Sequence, residues 1–150
     1  MKLLILADLI FRDLRDSDEN VSIPSVSFWL ESHIGDLNSL LSLDTIVENH
    51  EFVDELTSEQ AAIFHKLYLL KWYDSRIRQN TGASSWDYSE ISEGDSTIRK
   101  VSKNEIAKTL RTSRKDIYDE MINMIGSYKK NNSTPESYNR ICSIIDDYPY

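Results

Sequence analysis

The sequence predicts an all-α fold: a helical bundle with a long central helix, a long C-terminal helix and an extended C-terminal tail. Three observations carry this. Only four glycines and three prolines occur in 150 residues, too few for the many tight turns of an all-β chain. Apolar residues recur at spacings of three and four along much of the chain, the period of a helix with one buried face. Two capping boxes, each opening a long stretch of that period, mark helix starts.

The elements follow in order. Residues 2–16 place Leu3, Leu6, Ala7, Ile10 and Leu14 on one side, with Asp8, Arg12, Asp13 and Arg15 largely on the other. This is an amphipathic helix, closed by the polar run from Asp16 to Asn20. Ile23-Pro24-Ser25-Val26-Ser27 turns the chain into a second helix, capped by Ser25 or Ser27. Phe28, Trp29, Ile34, Leu37, Leu40 and Leu41 supply its apolar face, and Gly35 weakens its middle by about 1 kcal/mol relative to alanine. Residues 44–55 read as a short helix or ordered loop with Ile46, Val47, Phe52 and Val53 buried.

Thr57 and Gln60 form the first capping box, with Leu56 and Ala61 as its hydrophobic staple. The central helix runs from there to Asn80-Thr81-Gly82 and is apolar on most sides, as a helix at the centre of a bundle or oligomer must be. Residues 82–101 read as a polar linker loop, with Trp86, Tyr88 and Ile91 packed against something. Loops of that length tend to be functional or disordered. Ser102 and Glu105 form the second capping box, stapled by Val101 and Ile106. The helix they open should run to about Tyr128 and end at Asn131-Asn132-Ser133-Thr134-Pro135. The expected organisation is a helical domain over 1–130 and an extended tail over 131–150.

Length suits one domain that needs no disulfide or metal staple. One cysteine, Cys142, fits a reducing cytoplasm. The apolar start is interrupted by Asp8 and lacks a small-residue cleavage site, and no other run approaches a membrane span. Charge is unevenly placed within the net of −8. Residues 1–97 hold 18 acids and 7 bases, residues 98–130 hold 4 acids and 9 bases, and residues 131–150 hold 3 acids and 1 base. An acidic whole argues against general DNA coating. The single basic segment is the first clue to partners.

Positive signs of catalysis are absent. His33, His50 and His65 have no metal-ligand spacing. Glycines 35, 82, 94 and 126 stand apart, so there is no phosphate loop, and no serine lies in a nucleophile elbow. Cys142 sits in an apolar setting and reads as a small hydrophobe. We therefore expect no enzyme activity, no catalytic residue, no metal and no cofactor.

Residues 106–118 have features of a helix-turn-helix: an alanine in the first helix, Leu110, Ser113 opening the second, and a basic character. Against it, the turn position holds Arg111 rather than glycine. The apolar stripe at 106, 110, 117, 121, 124 and 128 also keeps one phase, as on a single helix. The two readings divide on whether the chain bends near Arg111–Ser113. A DNA-binding regulator using residues 103–121 is the alternative function.

The segment Glu93-Gly94-Asp95-Ser96-Thr97-Ile98-Arg99-Lys100-Val101-Ser102-Lys103-Asn104-Glu105-Ile106-Ala107-Lys108-Thr109 resembles the linker and helix start of head–tail connector (neck or adaptor, head-completion) proteins of tailed bacteriophages. The helix end from Ile122 to Tyr128 with its Asn-rich continuation is similar to theirs, as is the order of parts over residues 2–130. Residues 131–150 match no part of the pattern. The resemblance implies a non-catalytic structural subunit of the virion, made in the host cytoplasm. It implies a homo-oligomeric ring, commonly of about twelve copies, that joins the portal protein to further neck or tail proteins and extends the channel through which DNA passes. The expected partner-binding residues are Trp86, Tyr88, Arg99, Lys100 and Lys103 in and beside the linker. In the tail they are Ile141, Ile144, Ile145, Tyr148 and Tyr150.

Overall fold

The computed structural model describes residues 1–14, 21–82, 90–93, 96–99 and 103–132. Its element order is α1 (Leu3–Leu14), α2 (Ile23–Ser32), α3 (Ile34–Leu41), β1 (Val47–Glu48), β2 (Glu51–Phe52), α4 (Ser58–Gly82), β3 (Glu90–Glu93), β4 (Ser96–Arg99) and α5 (Lys103–Asn132). The fold is mostly helical, as the periodicity predicts, with the long helix near the C-terminus in place. The extended tail beyond Asn132 lies outside the described residues.

Leu3, Leu6, Ala7, Ile10 and Leu14 of α1 are all buried. They meet Val26 and Leu30 of α2, Leu37 and Leu41 of α3, and Ile63 and Phe64 of α4 in one cluster. Burying such side chains stabilises a core by about 1.5–3 kcal/mol each. The first capping box is present in full: Thr57 N donates to Gln60 Oε1 at 2.9 Å and Gln60 N to Thr57 Oγ1 at 3.3 Å. Its staple residues, Leu56 and Ala61, are both buried.

Four expectations are corrected. The second helix is two helices. The break falls at His33 (φ −114°, ψ 15°), two residues before Gly35. There His33 N donates to both Trp29 O and Leu30 O, which tightens the last turn of α2. The cap of α2 is Ser22 rather than Ser25 or Ser27. Ser25 is instead the reciprocal partner of that cap, with Pro24 in the first turn.

Within residues 44–55, expected as a short helix or ordered loop, residues 47–52 form a β-hairpin. Val47 pairs with Phe52 and Glu48 with Glu51. Asn49 (φ 51°) and His50 (φ 62°) make the turn, the left-handed geometry that matches strand twist in a two-residue hairpin. Strand alternation then buries Phe52 but leaves Ile46 and Val53 exposed.

The polar linker over 82–101 contains a second hairpin. β3 and β4 pair antiparallel, with Ile91 opposite Ile98 and Glu93 opposite Ser96. The register leaves two residues between the strands, Gly94 and Asp95, a composition suited to a tight β-turn.

Candidate functional site: the helical arm

The feature that dominates the molecule is the pair α4 and α5, with 25 and 30 residues. At 1.5 Å per residue they are about 37 and 45 Å long. They run antiparallel, and three side-chain links fix their register. Gln60 Nε2 donates to Tyr128 Oη at 2.8 Å. Lys66 Nζ donates to Glu120 Oε2 at 2.6 Å. Arg114 holds Asp74 by two parallel bonds, Nε to Oδ1 at 2.5 Å and Nη2 to Oδ2 at 3.1 Å.

Only part of this pair belongs to the head of the molecule. Among the described residues, the core cluster takes nothing from α4 beyond Trp72 and nothing from α5 before Ile117. Past those points the helices pack on each other as an arm, where Ala107 is buried outside the main core. β3 and β4 lie in the connection that joins the arm's two helices.

The arm concentrates positive charge. Over residues 73–82 and 103–116 it carries seven bases and three acids. Lys108, Arg111 and Lys115 are exposed and fall at i, i+3 and i+7, one stripe of α5. Arg76 lies 5.4 Å from the centre of the Trp72 ring, a cation–π distance. Arg114 is committed to Asp74, and the hydrogen bonds raise its pKa further above its ordinary range.

The backbone is helical without interruption through Arg111–Ser113. The bend that would mark a helix-turn-helix is not there, and Thr112 Oγ1 donates to Lys108 O within the helix at 3.2 Å.

Among the predicted partner residues, Arg99 is the last residue of β4 and Lys103 the first of α5, which places both in the arm's connection. Trp86, Tyr88, Lys100, Ile141, Ile144, Ile145, Tyr148 and Tyr150 lie outside the described residues. Of the predicted set, only Arg99 and Lys103 fall within the described residues.

The histidines all have local partners. The His33 ring stacks on Trp29 with centroids 4.1 Å apart. His50 Nδ1 is 2.8 Å from Glu31 Oε2. His65 Nε2 lies 3.1 Å from Asp13 Oδ2 but without the alignment of a hydrogen bond. Among the described residues, no group of three His, Cys, Asp or Glu side chains could hold a metal ion, and no helix is long and apolar enough to cross a membrane.

A surface feature was missed by the sequence reading. Phe28, expected on the apolar face of the second helix, is 71% exposed. It shares a shallow cleft with Leu4, Ile23 and Pro24. The buried frame of α2 is Val26 and Leu30, and Phe28 stands midway between them, about 200° round the helix from each. That phase was the available signal.

No protein-family model, curated protein or solved structure matches this chain.

Proposed function

We propose that this chain is a non-catalytic structural subunit that assembles into a ring in the neck of a tailed bacteriophage, between the portal and the tail, around the path of DNA. The observation that carries the reading is the arm. Two helices continue past the core that stabilises them, with a β-hairpin in their connection and charge opposite to that of the rest of the molecule. The core of a lone globular domain does not need such an extension. A subunit that must reach its neighbour does.

The charge pattern supports head-to-tail contact. A basic arm from one copy faces the acidic head of the next, and such heterologous contacts close into rings when the rotation per subunit permits. The resemblance of residues 93–109 to connector proteins supports the same reading, since that segment contains β4 and the start of α5. Arg99, Lys100 and Lys103, with Trp86 and Tyr88, would make the arm's contacts, and the tail would add apolar anchors at Ile141, Ile144, Ile145, Tyr148 and Tyr150. DNA would pass without sequence-specific contact.

Cross-linking mass spectrometry on the assembled particle tests this. The reading predicts inter-copy links between arm lysines, such as Lys108 and Lys115, and acids of a neighbour's head. Duplex binding by the free protein that falls steeply with salt and is lost on replacing Arg111 and Arg114 would instead support the regulator reading.

A further inference from the structure

The β1–β2 hairpin gives only one of its faces to the core. Val47 and Phe52, paired across it, pack on the core cluster. Ile46 and Val53 face the other way, because side chains alternate along a strand. Val53 N donates to Ile46 O at 2.9 Å, so the two stand side by side, 58% and 56% exposed. Glu48 and Glu51 share that outward face, directly opposite each other and both exposed. Like charges so placed repel. Residues 44–59 hold six acids and no lysine or arginine, so no strong base of this stretch offsets the repulsion.

The arm carries a matching face. Lys108, Arg111, Lys115, Tyr118 and Ile122 fall at i, i+3, i+7, i+10 and i+14 of α5, one stripe of the helix, and all are exposed. Its outer part is basic. Its inner part is apolar, with Tyr118 and Ile122 each 45% exposed, and Asp119 borders it one turn after Lys115. The spacings agree. On the hairpin, the glutamates lie about 7 Å along the strands from Ile46 and Val53. On α5, Lys115 and Arg111 lie about 4.5 and 10.5 Å along the axis from Tyr118.

We propose that the outward face of the β1–β2 hairpin receives this α5 stripe from a second copy of the chain. Tyr118 and Ile122 cover Ile46 and Val53, while Lys115 and Arg111 meet Glu48 and Glu51 and relieve their repulsion. Both faces are exposed in the subunit, so they do not meet each other within one chain. They are also different surfaces. A copy that receives a neighbour on its hairpin therefore keeps its own stripe for the next, the heterologous contact from which rings close. The proposal rests on the ring reading for the arrangement of copies and names the head surface that the arm meets.

Disulfide trapping between full chains tests it. Every chain carries C142S; one also carries V53C and the other I122C, and the two are mixed under mild oxidation. Heterodimers should exceed both homodimers by about fivefold or more. They should exceed by the same factor those formed when S39C, exposed on α3, replaces V53C. Adding E48K/E51K to the V53C chain should reduce the yield to the S39C level, because it sets like charges against the stripe. Adding R111E/K115E to the I122C chain should then restore it. A yield no higher than with S39C, or one that E48K/E51K leaves unchanged, would overturn the proposal, as would a failure of R111E/K115E to restore it. Ring formation is measured separately by mass photometry. A closed ring without these cross-links overturns this contact alone, and cross-links without a closed ring uphold the contact and overturn the ring reading.

Discussion

Arg114 and Asp74 are joined by two parallel hydrogen bonds across the arm, forty residues apart in sequence. The pair lies past the last core residues on both helices and so sets the arm's register where the head cannot. Both side chains are partly exposed, at 38% and 40%, and exposed ion pairs contribute about 0–1 kcal/mol. A double-mutant cycle with D74A and R114A should therefore give a coupling of about 0.5–1 kcal/mol, read by urea denaturation. The larger effect should be on the arm: amide exchange over residues 105–116 should quicken in each single variant while that of α1 stays unchanged.

Thr57 caps the helix that both head and arm share. T57A removes the acceptor for Gln60 N and should cost about 1 kcal/mol. T57S, which keeps the hydroxyl, should stay close to the parent. Thermal unfolding of the three proteins separates these outcomes.

Gly126 lies inside α5, and a methyl group there would meet nothing within 4 Å. Glycine in a helix interior is less favourable than alanine by about 0.5–1 kcal/mol. G126A should raise stability by that amount. Gly35 in α3 has the same open surroundings, so G35A should act in the same direction.

His65 gives stability a pH dependence. Burial pushes its imidazole pKa below the ordinary value of 6.5; the Asp13 carboxylate pulls the other way more weakly, and Lys66 adds to the lowering. Asp13 is 60% exposed, so water screens much of its pull. The unfolded chain thus takes up this proton at higher pH than the folded one. The contribution is full above pH 6.5 and is lost as pH falls from there through the folded pKa. Urea midpoints of the parent should drop between pH 7.5 and 5.5, and H65Q should show a smaller drop.

Much of the fold is legible in the sequence where one helix carries its own pattern. The five buried residues of α1, the Thr57–Gln60 box and the unbroken course of α5 all follow from spacing within a few turns. The misses have physical reasons. At His33 the helix ends because backbone bonds to Trp29 and Leu30 tighten its last turn, so the nearby glycine is a false marker. The hairpin at 47–52 has strands of two residues each, too short to show alternation, and its turn is Asn49-His50 rather than the usual Asn-Gly. The Gly94-Asp95 signal lay in plain view inside a stretch whose polarity suggested only a loop. The register of the arm depends on Gln60–Tyr128, Lys66–Glu120 and Asp74–Arg114, pairs between distant segments that no local period encodes. The candidate site was less legible than the fold. The basic segment was visible in the charge count, but its extension from the head as part of an arm depends on where the core stops.

The most direct measurement is mass photometry of the purified full chain, alone and mixed with a portal ring of the kind the proposed function requires, compared with a variant carrying K108E, R111E and K115E. The account predicts a discrete ring, formed alone or on the portal, at a mass that is a fixed multiple of 17.4 kDa. The charge-reversed variant should fold, show the parent's helical signal and fail to form that ring. A chain that stays monomeric both alone and with the portal, or a variant that assembles as well as the parent, would contradict it.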